Sequence, residues 1–157
     1  MRVFKKLIVC LLILALVLCL TACGGDKGKD VDIEALATDL VGSAAFVSDM
    51  SQYQVASAAA AGSYGFSTDD VEKCIMYYNG AEGEELFLAK TVDGKADSLK
   101  TLCQNRVQNQ KTSLQSYVPA AIPRLDSAII QTTGNYVIFV VADNAAAAQT
   151  VIDGYLK

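Results

Sequence analysis

Val71-Glu72-Lys73-Cys74-Ile75-Met76-Tyr77-Tyr78 and Glu84-Glu85-Leu86-Phe87-Leu88-Ala89-Lys90-Thr91-Val92 stand either side of Asn79-Gly80-Ala81-Glu82-Gly83. The flanking runs are dense in aliphatic and aromatic residues and the spacer is polar and glycine-rich, so the stretch predicts a β-hairpin. A second hairpin is predicted over Asp126–Thr132 and Tyr136–Ala142, joined through Thr133-Gly134-Asn135. Each hairpin leads into a helix. Asp93 and Gly94 open one that runs to about Tyr117, with Ala96, Leu99, Cys103, Val107, Leu114 and Tyr117 on one stripe and Pro119 stopping it. Asp143 caps the other, whose buried face is Ala147, Ala148, Val151, Ile152 and Tyr155.

Ahead of the hairpins, Ile33, Leu36, Leu40 and Val41 recur at helical spacing behind Asp30 and Asp32, which can cap a helix ending near Gly42. A second helix is predicted over Ser51–Ala61, closed by Gly62. Ser67 and Asp70 form a weak capping box in the loop before the first strand. The fold class is α+β: a four-stranded antiparallel sheet from two ββα units (ββαββα), preceded by two N-terminal helices, with both later helices on one face. Leu86 and Leu88 oppose Phe87 and Ala89, while Tyr136, Ile138 and Val140 oppose Val137, Phe139 and Val141. Strands apolar on both sides are covered on both sides, so the N-terminal helices are expected over the second face.

Residues 1–22 read as a secretory signal. Arg2, Lys5 and Lys6 form a positive n-region, and the apolar run Leu7–Leu20 of 14 residues is short for a permanent span. It ends in Leu20-Thr21-Ala22-Cys23, which resembles the lipobox of bacterial lipoproteins. That resemblance implies cleavage between Ala22 and Cys23 and a diacylglycerol on the Cys23 sulfur, two acyl chains being enough for stable anchoring. Residues 23–30 then form a polar, glycine-rich tether with nothing to bury, and 31–157 a single domain. The seven residues after Cys23, Gly24 to Asp30, reach at most about 25 Å, which is expected to keep the domain close to the outer face of the cytoplasmic membrane.

The 13 basic residues include those three before Cys23, so 10 remain against 17 acidic ones and the mature charge is −7. That argues against a nucleic-acid binder, which needs a basic patch, and against docking on anionic lipid. Cys10 and Cys19 leave with the signal, and Cys74 and Cys103 remain as a disulfide or, in the plainer reading, as two buried thiols.

The chain has no His, and no nucleophile elbow, P-loop or dinucleotide fingerprint. No catalytic residue, metal site or cofactor beyond the lipid is expected. Cys103 on an apolar stripe has its thiol pKa raised, which disfavours a nucleophile. Asp69, Asp70 and Glu72, and Glu82, Glu84 and Glu85, form two acidic clusters that match no EF-hand spacing and read as solvated loop acids. The exposed side of the long helix carries Gln104, Asn105, Gln108, Asn109 and Gln115, with Arg106, Gln110 and Lys111 nearby. Amides donate and accept without charge, so this is the candidate interaction face for a glycan or a peptide backbone, and a neutral solvated face is the alternative.

Taken with Glu85–Lys90, Arg106-Val107-Gln108-Asn109-Gln110, Tyr117-Val118-Pro119, Ala128-Ile129-Ile130, Gly134-Asn135-Tyr136-Val137 and Ala142-Asp143, the chain resembles the mainly Gram-positive lipoprotein family catalogued as domain of unknown function 4358, over about Val31 to Tyr155. The resemblance implies an extracytoplasmic lipoprotein and supplies no activity. The function expected is a non-enzymatic interaction domain at the cell envelope, binding an envelope protein or wall component. A small-ligand-binding lipoprotein serving transport is the second reading, and a carboxylate-dependent wall hydrolase, needing two carboxyl groups 5–10 Å apart, the third. Replacing Cys23→Ser is expected to remove the lipid mass and release the protein from washed membranes, checked by intact mass and fractionation.

Overall fold

The computed structural model describes residues 29–157. The signal segment, Ala22, Cys23 and the tether up to Gly28 lie outside the described residues. The elements run α1 (Ile33–Val41), a 3-10 turn (Met50–Tyr53), β1 (Gln54–Val55), α2 (Ser57–Tyr64), a second 3-10 turn (Thr68–Asp70), β2 (Val71–Asn79), β3 (Glu84–Thr91), α3 (Ala96–Leu114), α4 (Ala121–Asp126), β4 (Ile129–Thr133), β5 (Tyr136–Val141) and α5 (Ala145–Leu156). The class is mixed α+β on one antiparallel sheet of order β1-β2-β3-β5-β4. No helix among the described residues is long and apolar enough to cross a membrane.

The sheet has five strands where four are expected, because Gln54 and Val55 pair with Tyr77 and Met76 on the outer edge of β2. The helix predicted over Ser51–Ala61 divides accordingly. Asp49 accepts from Ser51 N and holds a tight 3-10 turn, two extended residues come next, and α2 runs on through Gly62 to Gly65. Gly65 ends it with φ +77°, a left-handed conformation that glycine adopts without strain.

The two second strands meet at the centre. Leu86 stands opposite Val140, Phe87 opposite Phe139, Leu88 opposite Ile138 and Ala89 opposite Val137. Side chains alternate across the sheet, so this pairing makes two cores. Leu86, Leu88, Ile138 and Val140 pack against Leu36 and Leu40 of α1 and Ile152 of α5. Phe87, Phe139 and Val141 pack against Tyr64 of α2, Leu99, Cys103 and Val107 of α3 and Leu125 of α4. Burying one large apolar side chain is worth about 1.5–3 kcal/mol.

The later helices therefore do not share a face: α3 and α5 lie on opposite sides. The sheet is covered twice, as its two-sided pattern demands, but each side takes one N-terminal helix and at least one later one. Helix α1, nine residues and so about 14 Å long, could not shield five strands spread over roughly 20 Å. The switch to the second side comes after β5, where Asn144 N donates to Ala45 O at 2.9 Å and draws the chain toward α1.

Smaller departures have local causes. Asp32 caps α1 from its own side chain and Gly42 closes it. Helix α5 is capped by Asn144, which accepts from Ala147 N, while Asp143 accepts from Arg124 Nε. Helix α3 stops at Leu114, so helical phase is lost before Tyr117, which is 87% exposed rather than on the stripe. Helix α4 occupies part of the predicted loop and delays the strand to Ile129, and Pro123 fits its first turn, where an N–H lacks a helical partner anyway.

The β2–β3 turn packs closely against the end of α3 and the start of α4. Gly83 has φ +68°, and a Cβ there would lie 2.5 Å from Ala121 Cβ and 3.2 Å from Leu114 Cδ1. Gly83→Ala is expected to destabilise the fold by about 2–4 kcal/mol, a left-handed strain added to an overpacked contact. Gly94→Ala, also at positive φ but in open space, should lose only the strain; urea melts of both variants check the difference.

Candidate functional site

Glu84 and Glu85 begin the central strand, and successive residues of a strand face opposite sides. Both are fully buried. This corrects the reading of these two as solvated loop acids; Glu82 of the same cluster is partly exposed, and Asp69 and Glu72 are exposed as expected, with Glu72 paired to Lys90. Glu84 turns toward the α1 side and accepts from Val47 N at 2.8 Å and Ser48 N at 3.2 Å, pinning the loop that leaves α1. Glu85 turns toward the α3 side. It accepts from Tyr64 OH at 2.6 Å, from Arg106 Nε at 2.8 and 3.0 Å, and from Gln110 Nε2.

The Glu85 cluster is closed around its charges. The Arg106 guanidinium carbon lies 5.1 Å from the Tyr64 ring centre and 5.0 Å from that of Tyr78, within cation–π range of both. Burial pushes the Glu85 carboxyl up, against the lowering pull of Arg106, Tyr64 and Gln110. Burial, then the Glu85 charge, holds the Tyr64 hydroxyl well above its usual range. The Cys103 thiol is pushed up to about 12 by burial first and Glu85 second, which keeps it a thiol at neutral pH. Burial works against the Arg106 charge, but Glu85 more than offsets it and raises its pKa. Among the described residues, Gln110 Oε1 is the one buried side-chain polar atom without a partner.

The five amides of the candidate interaction face, Gln104, Asn105, Gln108, Asn109 and Gln115, are all exposed. Two of their expected neighbours are not on that face: Arg106 is largely covered and Gln110 is buried against Glu85. One signal for this was present in the sequence. Gln110 stands where the stripe Leu99, Cys103, Val107 continues, and two adjacent carboxylates lead an otherwise apolar strand.

A groove of about 630 Å³ runs along the outer edge of β2, within the range of small-ligand sites. It is lined by Glu34 and Thr38 of α1, Ser57 of α2, Phe66 and Cys74 among others. Glu34 is paired with Lys73 at 2.7 Å. Cys74 and Cys103 are free thiols, the first half-buried. Among the described residues no three or more His, Cys, Asp or Glu are grouped to hold a metal.

The family model described as Domain of unknown function (DUF4358) matches residues 45–142, which span β1 to β5 and leave α1 and α5 outside. Neither a curated protein nor a solved structure matches the chain.

Arg106→Ala strands the buried Glu85 charge and is expected to cost about 3–5 kcal/mol, read from chemical denaturation. Without the arginine the Glu85 pKa rises further above its unfolded value. A carboxyl with a raised folded pKa stabilises the fold below the unfolded pKa, about 4.3, and loses that contribution as pH rises through the folded one. The deficit of the variant should therefore shrink as pH falls from 7.5 toward 5.

Proposed function

The chain belongs to the DUF4358 family, and on that premise we propose that it is a non-enzymatic binding domain, held by a lipid on Cys23 at the outer face of the cytoplasmic membrane. The lipobox-like Leu20-Thr21-Ala22-Cys23 and the signal before it support the anchor. The observation that carries the binding reading is the row of exposed amides on α3. A long, flexible helix face would lose entropy on every contact. This one is fastened from beneath by Arg106 and Gln110 to a buried carboxylate, so its hydrogen-bonding groups are displayed on a rigid support. Envelope proteins and wall polymers both offer the backbone and hydroxyl groups that amides engage.

Glu84 and Glu85 offer no hydrolytic pair, since they face opposite sides of the sheet and both are enclosed. The groove along β2 favours the second reading, a small-ligand-binding lipoprotein associated with transport.

The test is crosslinking in native membranes, with the protein recovered through a C-terminal tag. A reproducible partner whose yield falls about tenfold in Gln104→Ala/Gln108→Ala is expected, the loss that about 1.4 kcal/mol of binding corresponds to. No partner, together with a several-degree thermal shift from one member of a metabolite library, would instead establish the small-ligand reading.

A further inference from the structure

The two ends of the sheet are chemically different. The chain enters the domain at one end, where Lys29 Nζ donates to Lys157 O and Tyr136 OH donates to Asp30. Strand β3 finishes and β5 starts at that same end, Lys90 standing opposite Tyr136. The opposite end holds the β2–β3 turn, the loop after α1 and the end of α3.

All three large apolar side chains that are exposed among the described residues lie at the far end: Val47 at 60%, Tyr53 at 38% and Tyr117 at 87%. The Val47 backbone N donates to Glu84, which begins β3 at this end. Tyr53 precedes Gln54, which pairs with Tyr77 two residues from the end of β2. Tyr117 comes three residues after Leu114, which lies over Gly83. The backbone beneath them is tied down. Asn79 Nδ2 donates to Ser48 Oγ at 2.8 Å, and Arg124 Nη1 donates to Glu82 O at 2.7 Å. Exposed aromatic groups on fixed backbone are what anchors a protein contact.

The charge at this end selects the occupant. Asp49, Glu82, Asp126 and Asp143 stand at this end with the cations Lys111 and Arg124, Arg124 being shared between Glu82 and Asp143 and Lys111 taken by Asp126, while Asp49 is bonded to Ser51 and Gln52. Four solvent-facing carboxylates against two cations leave −2, which repels anionic lipid, phosphate-bearing polymer and a second copy of the same end. We propose that the end opposite the tether docks a protein whose contact surface carries Lys or Arg around an apolar seat for Tyr117. This rests on the binding reading above and names its partner class.

The experiment uses the full chain in native membranes, with photoreactive p-benzoylphenylalanine placed singly at positions 117, 104 and 97. Position 97 lies on the first turn of α3, at the tether end. Position 117 is expected to capture a protein through a segment containing Lys or Arg, and position 97 none. Capture should fall at least about fivefold in about 0.5 M salt, where screening shortens to roughly 4 Å, and likewise in Asp49→Asn/Glu82→Gln. Capture from 104 and not 117 overturns this assignment while the binding reading stands; capture from no position overturns both. A self-crosslink at 117, or capture that ignores salt and the carboxylate substitutions, overturns the partner chemistry.

Discussion

Two adjacent carboxylates at the start of the central strand join the three layers of this fold. Glu84 and Glu85 cannot reach water and cannot face the same way, so each must be satisfied by the layer it meets. Glu84 is satisfied by two backbone N–H groups after α1, and Glu85 by side chains from α2 and α3. A sheet packed by aliphatic contact alone tolerates small slides of a helix across it. A buried charge with several fixed donors does not, because each lost donor leaves that charge with a desolvation cost of a few kcal/mol. The dipeptide thereby sets where α1, α2 and α3 sit, and it is also why the outer side of α3 is a fixed surface.

The rest of the architecture comes from covering both sides of β3 and β5. These strands are apolar on alternate residues in both directions, and their mutual pairing concentrates that surface at the centre. Covering it takes more helix than either terminus provides alone, so helices from both halves of the chain are shared between the sides. The outer strands are only partly enclosed, and β2 keeps an uncovered stretch beside the groove because β1 reaches just two of its residues.

The hairpins, the long helix and the first helix cap were legible because each depends on residues near one another in sequence: glycines in the turns, Asp32 beside its own N–H groups, and a stripe at helical period. The exposure of the five amides was legible for the same reason, being a matter of phase along α3. The misread positions involve partners far apart in the chain. An acid beside a turn looks solvated until a backbone amide 36 or 37 residues away is brought to it, as happens to Glu84. Arg106 and Gln110 looked like neighbours of an exposed face because nothing local announces a carboxylate on a strand 21 and 25 residues earlier.

By itself, then, the sequence determined the two hairpins with their antiparallel pairing, the long helix and the first and last helices, the need to cover both sides of the sheet, the acidic charge and the lipobox-like cysteine; it did not show β1 or α4. These are local or summed properties. Only the tertiary structure decided which helix lies on which side, that the two second strands adjoin at the centre, and that Glu84 and Glu85 are clasps rather than surface acids. It also decided that the exposed large apolar side chains of the described residues gather at the end away from Lys29 and Asp30. The physical reason is common to all four: each is settled by contacts between segments distant in the chain, where burial and hydrogen-bond satisfaction outweigh the preference of any single residue.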